Sequence, residues 1–211
     1  MSSKARRVSV SSTTGKYMRM LSASIAAIGL LTAIPSGAAA AGDCNGLAAS
    51  PGYDFSGNNS GVTVVGTPFD DVIITGNGND TIRGLGGNDT ICSNGGNDNI
   101  NGEGGADWIF GDGGDDHVDG SAGDDHVFGG AGNDGVDGGT GTDVIRGQEG
   151  DDVMNGGDGD DTVIGGPGND LLSGNGGTDV CAGDYNGAIA PNSTHDRVPM
   201  VNGCETVVEV P

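Results

Sequence analysis

From Gly66 to Ala182 the chain can be cut every nine residues without an insertion, and each of the thirteen pieces carries Asp at its sixth position. The unit is G-G-x-G-x-D-x-U-x, where U is a large apolar residue, and the fourth position is Gly in twelve units, Phe69 being the exception. The eighth position runs Ile73, Ile82, Ile91, Ile100, Ile109, Val118, Val127, Val136, Ile145, Met154, Val163 and Leu172 before ending at Cys181. So strict a period predicts a solenoid, in which a unit buries its one apolar residue only by stacking on its neighbours. Composition read without the period would point to disorder. Gly accounts for 45 of 211 residues, aromatics for 4%, and acids outnumber bases 30 to 8.

Over residues 66–182 the unit resembles the hemolysin-type calcium-binding repeat of the repeats-in-toxin family. The resemblance implies an all-β fold, a right-handed parallel β-roll with two nonapeptides per turn. In it a six-residue loop precedes a three-residue strand, and calcium sits between loops of successive turns. It further implies that sixth-position aspartates eighteen residues apart share an ion. One edge then carries Asp71, Asp89, Asp107, Asp125, Asp143, Asp161 and Asp179, and the other Asp80, Asp98, Asp116, Asp134, Asp152 and Asp170. Six gaps on the first edge and five on the second make room for several calcium ions, up to about eleven. Elementary chemistry agrees with that template. Glycine permits positive φ in a tight loop, and calcium takes six to eight oxygen ligands from carboxylates and carbonyls. Without ions, each edge would be a ladder of like charges one strand spacing, about 4.8 Å, apart. The first unit, GTPFDDVII, has Thr67, Pro68 and Phe69 where glycines belong, so its loop is expected to bind weakly or to cap the end.

Lys4, Arg6, Arg7, Lys16 and Arg19 all precede the apolar run Leu21–Ile34, which small residues follow. This pattern predicts a secretory signal over residues 1–41, cleaved near residue 41, and a secreted, extracellular product. The run is too short to span a bilayer comfortably, so no membrane span is expected in the mature form. Residues 42–65 then form an N-terminal arm, 66–182 the β-roll and 183–211 a C-terminal cap. Beyond residue 41, three arginines (Arg83, Arg146 and Arg197) face all 30 acids, which leaves a net charge of −27. That balance excludes nucleic acid as a partner and favours cations. About eleven calcium ions would nearly neutralise it.

On the implied template, alternate units lie on opposite sheets with their seventh and ninth positions facing outward. One face is the more apolar and carries Trp108, Phe110, His126 and Phe128, along with Cys92. A contiguous patch of this kind is expected to be covered. The arm could cover it, tied down by a Cys44–Cys92 disulfide, or the patch could hold a protein or surface partner of unknown identity, as in an adhesion or matrix protein. Cys181 with Cys204 would close the C-terminal cap, although four cysteines allow three pairings and the sequence leaves the choice open. The Cys-Glu ending of that cap also resembles small secreted actinobacterial proteins with this repeat. No nucleophile arrangement stands out: GxSxG is absent, His117 and His126 fall on opposite faces, and His195 lies in the cap. The expected function is therefore calcium binding without catalysis.

Overall fold

Eighteen residues, two repeat lengths, is the pairing offset between neighbouring repeat strands. The computed structural model describes Cys44, residues 46–183 and residues 204–208, and contains strands but no helix among them. The expected signal segment with its cleavage site, His195 and most of the expected cap lie outside the described residues. One sheet has seven parallel strands: β1 (Thr63–Val65), β3 (Thr81–Arg83), β5 (Asn99–Asn101), β7 (His117–Ala122), β9 (Gly135–Thr140), β11 (Val153–Asp158) and β13 (Leu171–Gly176). The other has eight: β2 (Val72–Ile74), β4 (Thr90–Cys92), β6 (Trp108–Gly113), β8 (His126–Ala131), β10 (Val144–Glu149), β12 (Thr162–Ile164), β14 (Asp179–Ala182) and β15 (Cys204–Val208). The chain thus alternates between sheets at every unit, and β4 meets β6 with Ile91 opposite Ile109. This is the parallel β-roll that the repeat implies.

The core is a single file. One side chain per unit points inward, from Val64 and Ile73 through Met154 and Leu172 to Cys181, and each is almost wholly buried. Strand alternation dictates this, because in a three-residue strand only the middle residue can face the interior. From β6 onward most strands lengthen as pairing spreads into the loops, with Asp112 opposite Gly130 and Gly113 opposite Ala131. Loops stacked this closely leave no room for side chains at certain positions. A Cβ on Gly123, which has φ +144°, would overlap the Gly105 carbonyl. Gly123→Ala is expected to cost about 2–4 kcal/mol through backbone strain and displaced stacking. Gly57→Ala, with open space around it, should stay within about 0.5 kcal/mol of the parent. Thermal unfolding of the two variants would compare them, and equal midpoints would contradict the stacked-loop geometry.

Both described ends are closed. Tyr53 enters the core, with Phe55 and Val62 packed against it. The neighbouring backbone pairs with β2, Ile74 N–H donating to Tyr53 O at 2.9 Å and Phe55 N–H to Ile74 O at 2.7 Å. The described part of the arm, Cys44 and residues 46–65, therefore runs mainly across the open end of the roll, and only its first part reaches the outer face. The reason is energetic: the end of a solenoid exposes its core, and these apolar residues bury it. Cys44 and Cys92 form a disulfide, around which Ile74 is buried and Ala49, Val72 and Phe110 pack. At the other end β15 pairs in parallel with β14, and Cys204 forms a disulfide with the core residue Cys181.

Candidate metal centre

All thirteen sixth-position aspartates are buried, the most accessible, Asp71, being 7% exposed. Each one ends a loop just before an inward-facing strand residue, so its side chain is drawn in under the stacked loops. Their two oxygens have different surroundings. Oδ1 accepts the backbone N–H of the aspartate one turn earlier, as in Asp107 N–H to Asp125 Oδ1 and Asp125 N–H to Asp143 Oδ1, both 2.8 Å. The opposite edge repeats this with Asp98 N–H to Asp116 Oδ1 at 2.8 Å.

Oδ2 is left over. In Asp80, Asp89, Asp98, Asp107, Asp116, Asp125, Asp134, Asp143, Asp152, Asp161 and Asp179 it is buried and accepts no hydrogen bond. Such an atom strongly destabilises a fold unless something else meets it. Except at Asp80 and Asp98, whose units begin with Thr75 and Ser93, the space beside it belongs to the first glycine of the unit. A Cβ on Gly120 would stand 2.6 Å from Asp125 Oδ2 and 2.7 Å from the Gly138 carbonyl oxygen of the next turn. The same pairing of an Oδ2 with a carbonyl oxygen recurs at Gly102, Gly111, Gly129, Gly138, Gly147 and Gly156. Oxygen atoms from two successive turns thus converge on one small, side-chain-free space. Among the described residues no three acidic, His or Cys side chains meet at one point. A cation in a gap would therefore rely on aspartates of adjacent turns and on backbone carbonyls, the hard oxygen donors that suit calcium.

The electrostatics point the same way. Burial raises the carboxyl pKa of Asp89, Asp116 and Asp125 to about 7 and that of Asp98, Asp134 and Asp143 to about 6. The backbone hydrogen bond to Oδ1 opposes this rise, and carboxylates one turn away reinforce it at most of these sites. Asp80, Asp107, Asp152 and Asp161 are raised as well, again chiefly by burial. Ionised as a set at neutral pH, these groups need positive charge nearby.

Asp71 is different. Its Oδ2 accepts Thr67 N–H at 2.6 Å and the Thr67 hydroxyl at 2.8 Å.

Sequence reasoning overlooks a second ladder just outside the first. Fifth-position Asn and Asp side chains accept the backbone N–H one turn later, as in Asn88 N–H to Asp70 Oδ1 and Thr142 N–H to Asp124 Oδ1, both 2.8 Å. The signal is present, since ten of thirteen units have Asn or Asp there. The two ladders run in opposite directions and clamp each loop to both neighbours.

On the outer face of the eight-stranded sheet, Trp108 stacks on His126 at 4.3 Å between ring centroids and Phe110 on Phe128 at 4.8 Å. Trp108 remains 38% exposed. The Arg146 guanidinium lies over the Phe128 ring, 5.4 Å from its centroid. The arm buries Ile74 and Cys92 and meets this cluster at Phe110, which packs beside the disulfide. His117, by contrast, lies in β7 on the other sheet.

A family model described as RTX calcium-binding nonapeptide repeat (4 copies) matches the chain in overlapping stretches, 65–100, 93–127, 101–136, 128–163, 137–172 and 155–184. No curated protein and no solved structure matches it.

Proposed function

The chain belongs to the RTX calcium-binding nonapeptide repeat family, and from that premise we propose that it is a secreted protein whose roll folds on calcium held between successive turns. The observation carrying this reading is the column of buried Oδ2 atoms without hydrogen-bond partners, which from Asp89 to Asp161 on one edge and from Asp116 to Asp152 on the other stand beside a carbonyl oxygen of the next turn. On one edge the ligands would be Asp89, Asp107, Asp125, Asp143, Asp161 and Asp179, and on the other Asp80, Asp98, Asp116, Asp134, Asp152 and Asp170. A bound ion supplies positive charge to both turns. The residues supply the rest: Asp Oδ1 fixes the register, and the first-position glycine keeps the space clear in every unit but those of Asp80 and Asp98, which begin with Thr75 and Ser93. Because each ion joins two turns, filling one gap prepares the next, and binding is cooperative. The two disulfides fit an oxidising, extracellular setting. The proposed role is binding, as the family of calcium-binding repeats supports.

Calcium counted after equilibrium dialysis at neutral pH should reach several ions per chain, about eight where an Oδ2 and a carbonyl of the next turn converge, and excess magnesium should not displace them. One ion or none would sink the proposal.

A second reading, adhesion through the apolar outer face, draws on one specific observation. Where the rest of the chain is crowded with acids, the seventh and ninth positions of β2, β4, β6, β8, β10, β12 and β14 carry no carboxylate. Exchanging Trp108 and Phe110 for Ser should leave calcium-dependent folding intact while abolishing binding to cell surfaces. Unchanged surface binding, or none in the parent protein, would reject this reading.

A further inference from the structure

We infer that Thr67 takes the place of a calcium ion in the first loop, so that the turn ending at Asp71 closes without calcium and templates the ion-dependent turns behind it. The inference rests on the calcium reading of the repeats and fixes where their ion sites begin.

In Asp89, Asp107 and Asp125 the Oδ2 atom has no hydrogen-bond donor. In Asp71 the same atom receives two, the Thr67 N–H and hydroxyl. The backbone accounts for the contrast. Second-position residues such as Leu85, Glu103 and Ser121 have positive φ, whereas Thr67 does not, and its donors turn onto the carboxylate of their own loop. A carboxylate oxygen held by two donors needs no cation. The opposite edge starts without an ion site for another reason. Eighteen residues before Asp80 stands Val62, which donates its N–H to Asp80 Oδ1 at 2.7 Å but brings no carboxylate.

The same end is held by contacts that owe nothing to calcium. The Cys44–Cys92 disulfide spans it, Tyr53 plugs the core, and Val72 N–H donates to Ser50 Oγ at 2.9 Å. A solenoid grows by adding turns to a finished one, and this turn is finished in advance. Ion sites of the same geometry then run from Asp89 on the edge of Asp71 and from Asp116 on the other. In the loops of Asp80 and Asp98, Thr75 and Ser93 replace the first-position glycine and donate their hydroxyls to the Ser93 and Gly111 carbonyls. That leaves eight gaps in which an unpartnered Oδ2 meets a carbonyl of the next turn, five on one edge and three on the other, where regular spacing alone provides eleven.

Hydrogen exchange read by mass spectrometry on the oxidised full chain tests this, first in chelator and then in excess calcium. Peptides from 66–92 should remain protected in chelator while those from 111–165 exchange at once, and calcium should slow the latter by more than ~100-fold. Immediate exchange of both regions in chelator would overturn the inference. Thr67→Gly, which restores the repeat pattern, should abolish protection of 66–92 in chelator, keep it in calcium, and raise bound calcium by one ion. A Thr67→Gly protein still protected in chelator, with its ion count unchanged, would show that the disulfide and Tyr53 suffice, and the role of Thr67 would be refuted. If calcium failed to protect 111–165, the calcium reading itself would fail, an outcome distinct from failure at 66–92 alone.

Discussion

In chelator at pH 8, residues 42–211 are expected to lose most of their β signal in the far ultraviolet, and added calcium should restore it along a sigmoidal curve. The expectation follows from what each turn has to hold it together. Burial contributes one aliphatic side chain per nine residues, a small return against the entropy of ordering a glycine-rich loop. Backbone hydrogen bonds and the fifth-position ladder help, but they also require the loops to stack. Stacking places ionised carboxylates one above another with Oδ2 atoms that nothing donates to. At pH 8 those groups are charged, since even the most raised lie near 7. Burying them uncompensated is strongly unfavourable. A divalent ion in each gap reverses the sign of that interaction. Magnesium should fail as a substitute, because it holds its water and demands a tighter octahedron than a gap of fixed carbonyls offers. Some signal from the N-terminal turn should persist in chelator. A complete β spectrum without metal at pH 8 would mean that the core and disulfides suffice and that the aspartates have another purpose.

Most of the roll is legible in the sequence because its two determinants are periodic. The eighth-position column from Ile73 to Cys181 gives the core, and an alternation of sheets gives the offset of eighteen seen between Ile91 and Ile109. Asp at every sixth position marks the proposed site. What the sequence cannot resolve is the division of labour within each carboxylate, since only three-dimensional stacking commits Oδ1 to a backbone N–H and leaves Oδ2 over. Aperiodic segments are harder still. Tyr53, Phe55 and Val62 stand in no repeat, and their attraction to the exposed end of the core appears only once that end exists. The first-position glycine is instructive in another way. Positive φ explains the fourth-position Gly123 but not Gly120, where the obstacle is steric: a Cβ would occupy the space between Asp125 Oδ2 and the Gly138 carbonyl.

Protons should serve as a partial substitute for calcium. Metal-free protein that is unfolded at pH 8 is expected to regain β structure as the pH falls toward 5. In the folded, ion-free roll, burial raises Asp89, Asp116 and Asp125 to about 7 and Asp98, Asp134 and Asp143 to about 6. Unfolded aspartates titrate near 3.9. Between these values the folded state holds protons that the unfolded state has released, so falling pH favours folding. The contribution is complete below about pH 4 and is lost as the pH rises through 6 to 7. A protonated Oδ2 is neutral and can donate to the carbonyl of the next turn, which relieves both the charge and the missing partner. The same protons must leave before calcium binds, so the calcium midpoint should move to higher concentration as the pH drops from 8 to 6. Circular dichroism of metal-stripped protein between pH 5 and 8 would measure the first effect. Stripped samples are preferable to chelator here, because chelators lose calcium in acid, and stopping at pH 5 limits association as the net charge shrinks. A metal-free chain that remains unfolded at pH 5, or a calcium midpoint indifferent to pH, would show that the buried carboxylates do not govern folding. Recovery in acid together with the shifted midpoint would assign proton and calcium to the same oxygen.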